Sequence, residues 1–217
     1  VNESNIKKLK DSFPTLLRRS RSLSDYVSML NDVRLDAVAI LTPHMQHFEQ
    51  AIESLDKGLH VLIEKPMVCT VEQGEKLIEK SEETKKVVVV AYQRHYQPQF
   101  RFIKGFIEAG TLGDIQFISA MQCQDWLHLT KGTWRQDPKI GGGGQLIDSA
   151  SHLFDMILWT TGLEPIEVSA FTNNLGTSVD IDSSINIRFR NDAQASIGVV
   201  GNSPIWEENI GIWGEKG

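Results

Sequence analysis

Three short apolar runs in the first half of the chain alternate with segments of helical periodicity. Such runs are typical of parallel strands buried on both faces, and apolar positions three and four residues apart are typical of amphipathic helices. An order of strand, helix and strand predicts a parallel sheet with right-handed crossovers. We expect strands at 36–41, 60–63 and 87–91, helices at 44–57, 71–84 and 98–109, a helix end at 3–11, and a short helix that Ser24 or Asp25 caps.

After Gly113 the sequence changes to longer runs in which apolar and polar residues alternate. This alternation is typical of an antiparallel or mixed sheet with one open face. We expect strands at 116–122, 167–171, 184–190 and 193–199, with a single helix at about 144–160 between them. The sequence therefore predicts two domains, the first over 1–113 and the second over 114–217.

The composition excludes several classes of partner. The chain has 217 residues, a formal net charge of −6 and a pI of about 5.5. It has neither a basic patch for phosphate backbones nor an apolar segment long enough to cross a bilayer, so no nucleic acid or membrane partner is predicted. Cys69 and Cys123 form no disulfide framework and no metal-ligand pattern, which favours a reducing compartment and makes the cytoplasm the default location.

Lys65 directly follows the predicted strand at 60–63, in the sequence Glu64-Lys65-Pro66. Ligands bind at the carboxyl ends of strands in open parallel sheets, and a proline restricts the backbone of the residue before it. A lysine that is fixed in this way can stabilise a developing alkoxide. A solvated surface lysine is the alternative interpretation.

A run of glycines at 141–144 leads into the predicted helix that carries Asp148, His152 and Asp155. Spacings of four and three residues predict that these side chains share one helix face. A carboxylate one turn away can orient the histidine ring and stabilise its imidazolium form, as general base catalysis requires. An ordinary ion pair on a helix face is the alternative. The glycines allow close approach to a ligand or a neighbouring sheet at a helix N-terminus that favours anions, or they form a hinge.

Thr42, Pro43 and His47 come just after the predicted strand at 36–41. A dinucleotide can be contacted at this position, so we expect the three residues to lie near a cofactor. His44 and His47 would lack a third partner as metal ligands, and no metal site is predicted.

Two further groups have ambiguous roles. Tyr92, Arg94 and His95 follow the predicted strand at 87–91 and can meet a hydroxylated substrate, although Tyr92 also fits a core position. Trp134 and Arg135 precede the glycine run. They can stack on and clamp a ligand, or form a cation–π pair at the surface.

The order of these motifs resembles the Gfo/Idh/MocA family, which includes glucose–fructose oxidoreductase and inositol dehydrogenase. The resemblance covers nearly the whole chain and rests on DAVAILTPHMQHFEQAIESLDKGLHVLIEKP, AYQRHYQPQFRFIKGFIEAGTLGDI and WRQDPKIGGGGQLIDSASHLFDMILW. It implies an α/β fold, in which a partial, doubly wound Rossmann sheet that binds NAD or NADP precedes an α+β domain. The sheet of that second domain would be open and mostly antiparallel, and would form a wall of the substrate site.

The resemblance also implies roles for individual residues. Lys65 matches the lysine of the family's EKP motif, in which some members have a cis bond before the proline. Asp148 and His152 match the catalytic aspartate and histidine, and the histidine exchanges a proton with the substrate hydroxyl while hydride moves to the nicotinamide. The cofactor would contact Thr42, Pro43, His47, Glu64, Lys65, Trp134 and Arg135, and the substrate would contact Tyr92, Arg94, His95, Asp148 and His152.

The function that the resemblance implies is reversible oxidation of a secondary hydroxyl on a sugar, cyclitol or related polyol. A homodimer or homotetramer, associated through the open sheet face, is expected. Two alternatives stay open. One is an NAD-dependent glycoside hydrolase that oxidises its sugar transiently, and the other is a non-catalytic sensor or repressor on the same scaffold.

The chain departs from the family's pattern in three respects. The first strand and the G-x-G-x-x-G turn would precede Val1, and the first glycine is Gly58. We therefore expect further residues before Val1 and after the final GIWGEKG, which resembles a sheet turn of the family, and we expect weak dinucleotide affinity for residues 1–217. Arg94-His95 stands where some relatives carry paired arginines, which leaves the substrate's charge open.

Overall fold

The computed structural model describes residues 3–15, 17 and 20–217, and these form two sheets with helices packed against them. Single turns of 3-10 helix cover His44–Gln46, Gln93–Tyr96 and Trp134–Gln136. The α-helices are α1 (Glu3–Ser12), α2 (Tyr26–Asp32), α3 (His47–Asp56), α4 (Val71–Thr84), α5 (Pro98–Glu108), α6 (Trp126–Leu129), α7 (Pro138–Gly141), α8 (Gln145–Asp148) and α9 (Ser151–Thr161). The strands are β1 (Ala37–Ile40), β2 (His60–Ile63), β3 (Val88–Val90), β4 (Ile115–Cys123), β5 (Pro165–Asn173), β6 (Asp182–Phe189), β7 (Gln194–Val200) and β8 (Glu207–Gly214).

The first sheet is parallel, as the sequence predicts, and its strand order is β1-β2-β3. Helices α3 and α4 cover one of its faces, where Ile63 and Leu77 are at most 1% exposed. The expectation of strands covered on both faces is wrong for the described residues, because Leu62 and Val89 on the other face are 43% and 39% exposed. The three strand ends that carry the candidate residues nevertheless meet at one edge.

The second sheet is mixed, with the order β5-β6-β7-β4-β8. Strands β4 and β7 are parallel and the remaining pairs are antiparallel. Helix α9 covers one face through Leu153 and Ile157, which pack on the buried residues of β4, β6 and β7. The opposite face is open, with Phe117 and Trp213 40% and 49% exposed. The alternating pattern predicted this arrangement of one covered face and one open face.

The single helix predicted after the glycine run is wrong, because the chain forms α8 and α9 with a break between them. In a continuous helix, the carbonyl of Asp148 would accept the amide N–H of His152. Instead it accepts the Lys65 Nζ at 2.8 Å and the Ser151 Oγ at 2.8 Å, while the His152 amide donates to Ser149. Side chains have therefore replaced a backbone hydrogen bond at this point, and Asp148 and His152 lie on different helices.

The expectation of one helix in the second domain is also wrong, because α6, a 3-10 turn and α7 occupy residues 126–141. These turns are too short for helical periodicity to reveal them. The end of the chain, interpreted as a turn from GIWGEKG, includes β8, which pairs with β4. Among the described residues, no helix is long and apolar enough to span a membrane.

Candidate active site

The carboxylate of Asp148 is the centre of a buried cluster between the two domains. Its Oδ1 accepts the Lys65 ammonium at 2.9 Å, and its Oδ2 accepts the Trp126 indole N–H at 2.9 Å and the Arg135 Nε–H at 3.1 Å. Burial favours the neutral form of this carboxyl, but the charges and hydrogen bonds of Lys65, Trp126 and Arg135 outweigh burial and lower its pKa. Asp148 is therefore an anion that holds two cations in place.

Lys65 stands at the carboxyl end of β2, and its side chain is 17% exposed. The Glu64 carboxylate accepts the Lys65 amide N–H at 2.9 Å, and the Lys65–Pro66 bond is cis, as it is in some family members. The ammonium has three protons, and both acceptors that the structure gives it belong to Asp148. Within the described part of the chain, the third proton has no acceptor and is available to a ligand oxygen.

His44 lies against the Asp148 cluster and is 4% exposed. Its Nδ1 lies 2.9 Å from the Gly141 carbonyl, which assigns a proton to that nitrogen. Its Nε2 is 3.6 Å from Asp148 Oδ1, too far for a hydrogen bond. Burial lowers the pKa of His44 to about 4, so the ring is neutral at pH 7 and packs edge-on against Trp134 instead of forming an ion pair.

His152 lies in the first turn of α9 and has a buried Nδ1 without a hydrogen-bond partner among the described residues. Burial, followed by the positive charges of Lys65 and Arg94, lowers its pKa to about 4. Tyr92 contacts the ring edge-on, with 5.7 Å between centroids. His152 is therefore a neutral imidazole at pH 7, and the expectation that a carboxylate on its own helix face stabilises its imidazolium form is wrong.

Asp155, the expected neighbour of His152, pairs with His95 instead. The His95 Nε2 lies 2.9 Å from the Asp155 carboxylate, and its ring stacks on Trp159 with centroids 4.2 Å apart. Helix α9 thus carries His152 on one side of this pair and Trp159 on the other. Through Asp155 and Trp159, His95 attaches the 3-10 turn after β3 to α9. His95 therefore links the two domains.

The loop after β1 is organised by His47, whose side chain is completely buried. Its two ring nitrogens lie 2.9 Å from the Pro66 carbonyl and 2.8 Å from the Thr42 carbonyl. The Thr42 hydroxyl donates to Gln50 at 2.8 Å. His47 therefore connects the loops that carry Thr42 and Lys65, and a ring so enclosed does not fit the direct cofactor contact that the sequence suggested. Thr42 and Pro43 lie at the open edge of the sheet.

Trp134 and Arg135 lie in the 3-10 turn Trp134–Gln136, where Arg135 contacts Asp148. The Arg135 guanidinium stacks on the Trp134 ring at 4.4 Å from its centroid, while its Nε binds Asp148. The Arg135 side chain is 40% exposed, so its positive charge is accessible beside Asp148. Both interpretations from the sequence, a cation–π pair and a clamp for a ligand, are compatible with this geometry.

The glycine run approaches protein backbone and side chains. A Cβ at Gly144 would lie 2.1 Å from the Asp180 carbonyl, and one at Gly142 would lie 2.4 Å from the Cys69 sulfur. The Asp180 carboxylate accepts the amides of Gly144 and Leu146, each at 2.8 Å. A carboxylate of the chain itself therefore caps α8, and close packing requires the glycines.

The structure brings together five of the residues that the sequence singles out as candidates, namely Lys65, Asp148, His152, Tyr92 and Arg135. It adds residues that sequence reasoning missed, namely Trp126, His44 and Glu208. Trp126 lies in a one-turn helix without a periodic signal, and His44 was considered only as a metal ligand. Glu208 lies on β8, which was not predicted, so no signal in the sequence could have found it.

A cavity of about 360 Å³ lies apart from this cluster, between α5, α9 and β8. Its walls are mainly phenylalanine, isoleucine and leucine side chains, with Glu208 at one end. Lys65, Asp148 and His152 do not line it. An apolar cavity does not fit a hydroxylated ligand, so the polar cluster is the candidate site.

Known families provide an independent comparison. A model described as the GFO/IDH/MocA C-terminal domain matches residues 100–217, which is more than half of the chain. A model of the oxidoreductase family with an NAD-binding Rossmann fold matches residues 4–92. The chain belongs to the Gfo/Idh/MocA family. The resemblance inferred from the motifs, and the fold class with it, are confirmed.

Curated relatives in the family include dehydrogenases of sugars and cyclitols. The chain is 32% identical over 143 residues to levoglucosan dehydrogenase of Pseudarthrobacter phenanthrenivorans, a match that covers 65% of this chain and 37% of that protein. It is 28% identical over 163 residues to scyllo-inositol 2-dehydrogenase (NADP(+)) IolW of Bacillus subtilis, with 75% of this chain and 44% of that protein covered. The chain thus spans less than half of the length of these relatives.

Solved structures agree with the family assignment. The WlbA dehydrogenase of Bordetella pertussis, solved with NADH and UDP-GlcNAcA, superposes with a TM-score of 0.87 at 26% identity, covering 99% of this chain and 62% of that one. Levoglucosan dehydrogenase in complex with NADH and levoglucosan superposes with a TM-score of 0.84 at 28% identity, covering 92% and 58% of the two chains.

Gly144→Ala should destabilise the protein by about 2–3 kcal/mol, because the new methyl group would collide with the Asp180 backbone. Gly105→Ala is the matched control, since nothing lies within 4 Å of the new atom in the exposed α5, and alanine favours a helix by roughly 0.5–1 kcal/mol. Urea unfolding of both variants measures the difference. Equal midpoints would show that the glycine run is not packed as described.

The His152 ring should titrate with a pKa of about 4, well below its ordinary value. Lys65→Met should raise this pKa, because the ammonium charge opposes protonation of the ring. Histidine side-chain NMR across pH 3–8, assigned with His152→Gln, measures both values. Lys76→Met, on the exposed surface of α4, should leave the titration unchanged. A wild-type pKa near 6.5 would contradict the described environment.

Proposed function

We propose that the protein containing this chain is an NAD(P)-dependent oxidoreductase that acts on a secondary hydroxyl of a sugar, cyclitol or related polyol. Two observations together carry the proposal. The Lys65 ammonium has a proton without an acceptor, and His152 is a neutral imidazole with an unpartnered nitrogen. Hydroxyl oxidation needs a cation beside the oxygen and an acceptor for its proton. The cluster supplies both groups.

The residues present fit a nicotinamide cofactor. They occupy the carboxyl ends of parallel strands, where open α/β sheets bind dinucleotides, and the orphaned His152 nitrogen lacks the ligand atom that would satisfy it. Such a cofactor supplies hydride transfer when it is bound. Thr42, Pro43, Glu64 and Lys65 would hold it from the strand ends, and Trp134 with Arg135 would hold it from the second domain.

The protein's own groups divide the remaining work. Lys65 donates its third N–H to the reacting oxygen and stabilises negative charge there as the hydroxyl loses its proton. His152, neutral at pH 7, accepts that proton during oxidation and returns it during reduction. Asp148 orients the Lys65 ammonium by accepting two hydrogen bonds from it, one at its carboxylate and one at its carbonyl. Tyr92 limits rotation of the His152 ring by contacting its edge.

We further propose that the open face of the second sheet is the contact between copies of the protein. Phe117, Met121 and Trp213 are between 37% and 49% exposed on the uncovered face, and Phe171 on the edge strand β5 is 79% exposed. Apolar exposure on this scale is typical of interaction surfaces.

Two free cysteines, Cys69 and Cys123, support a cytoplasmic location.

In the protein containing this chain, Lys65→Met and His152→Gln should each lower kcat/KM for sugar or cyclitol oxidation by about 100-fold or more. Nicotinamide absorbance at 340 nm measures the rate, with NAD and NADP each supplied. Lys76→Met and His128→Gln are matched controls, since both side chains are more than half exposed, and they should keep wild-type rates.

Unchanged turnover in both site variants would refute the assignment of roles. Release of sugar from an aryl glycoside without net reduction of the cofactor would point instead to transient redox in glycoside cleavage. Cofactor binding without turnover of any carbohydrate would point to a sensor.

A further inference from the structure

A second buried ion pair, Arg94 with Glu208, lies near the reacting groups. The two Nη groups of Arg94 bind the two carboxylate oxygens of Glu208, one of them at 2.8 Å, and the side chains are 13% and 9% exposed. The Gln122 Nε2 donates to the same carboxylate at 2.9 Å. This arrangement satisfies the guanidinium fork with a planar partner of the chain itself.

The pair belongs to the wall beside His152. Arg94 follows Tyr92, whose ring contacts His152, and the charges of Arg94 and Glu208 act in opposite directions on the pKa of His152. Arg94 comes from the turn after β3, whereas Glu208 and Gln122 come from adjacent strands, β8 and β4. The pair therefore closes the gap between the two domains beside the proton acceptor.

This pairing decides what Arg94 offers to a ligand. A free arginine beside the site would bind a substrate carboxylate through two parallel hydrogen bonds. Here a sugar acid would have to displace Glu208, and Glu208 would then be a buried carboxylate without its partner. Lys65, the other cation next to His152, pairs with Asp148, which also binds Arg135. Arg94, by contrast, has a carboxylate partner of its own in Glu208.

Gln122 also holds the Glu208 carboxylate. Its side-chain amide must direct the nitrogen at Glu208, because a carboxylate only accepts hydrogen bonds. The Gln122 side chain is 2% exposed. The Glu208 carboxylate is therefore held by two buried side chains, Arg94 and Gln122.

We propose that Glu208 determines specificity by neutralising Arg94, so that the site takes uncharged polyhydroxylated substrates and rejects sugar acids. This inference rests on the proposed function, because it names the charge class of the substrate for the same site. Glu208 acts through Arg94, and Gln122 helps to hold Glu208 in place.

The test uses matched pairs of probes, D-glucose with D-glucuronate and D-galactose with D-galacturonate, on the protein containing this chain. Both kcat/KM and the dissociation constant, by calorimetry with cofactor present, are measured for each probe. The wild type should favour the neutral member of each pair. Glu208→Gln frees the charge of Arg94 and should shift the ratio of neutral to acidic affinity towards the acid by about tenfold or more.

Two further variants separate charge from loosening of the wall. Arg94→Met combined with Glu208→Met removes both charges, and it should give no gain for the acids. Glu164→Gln breaks a chemically matched bidentate pair with Arg190 on the exposed surface, and it should leave every ratio unchanged. If Glu208→Gln does not fold, the double variant alone tests the inference. A gain in affinity for sugar acids in the double variant overturns the inference.

The inference is also overturned if the wild type prefers sugar acids. The same holds if the ratio of neutral to acidic affinity shifts equally in Glu208→Gln and in the double variant. Absence of turnover with the binding ratios as expected refutes the proposed oxidoreductase and supports the charge selection. Absence of binding of every probe refutes both.

Discussion

The carboxylate of Asp148 joins the two domains through its buried contacts with Lys65, Trp126 and Arg135. A buried ion pair that loses one partner leaves an uncompensated charge, which typically costs about 3–5 kcal/mol. The position of α8, the break before α9 and the aim of Lys65 follow from this one group, because both its carboxylate and its carbonyl are used. Asp148 therefore serves both the proposed chemistry and the packing of the two domains.

Burial gives the histidines around this cluster different properties. His44 and His152 are enclosed near cations, and the pKa of each is lowered to about 4. His95, in contrast, stands against the Asp155 carboxylate, and His47 is held between two carbonyl oxygens. Only His152 among these four has a ring nitrogen that is buried without a partner in the described residues. Its surroundings, more than its residue type, keep this ring neutral at pH 7 with one nitrogen unpartnered.

The predictions from the sequence succeeded where a feature is local and repeated. Alternation of apolar runs and helical segments predicted the first sheet, and it placed Lys65 at a strand end. The prediction failed where side chains distant in sequence replaced backbone hydrogen bonds. The helix after the glycine run breaks because Lys65, 83 residues away along the chain, binds the Asp148 carbonyl. No local pattern contains that information, and the same holds for Glu208, which lies 114 residues from Arg94.

By itself, the sequence determined the parallel character of the first sheet, the change in pattern after Gly113 and the set of motifs that defines the family. These features follow from periodicity and from short, fixed spacings between residues, and both can be read directly in the sequence. Tertiary structure alone decided which charges neutralise each other, that Asp155 serves His95 and not His152, and that His47 is enclosed. Electrostatic and hydrogen-bond partners depend on distances of a few ångströms, and only the packing of the two domains fixes those distances.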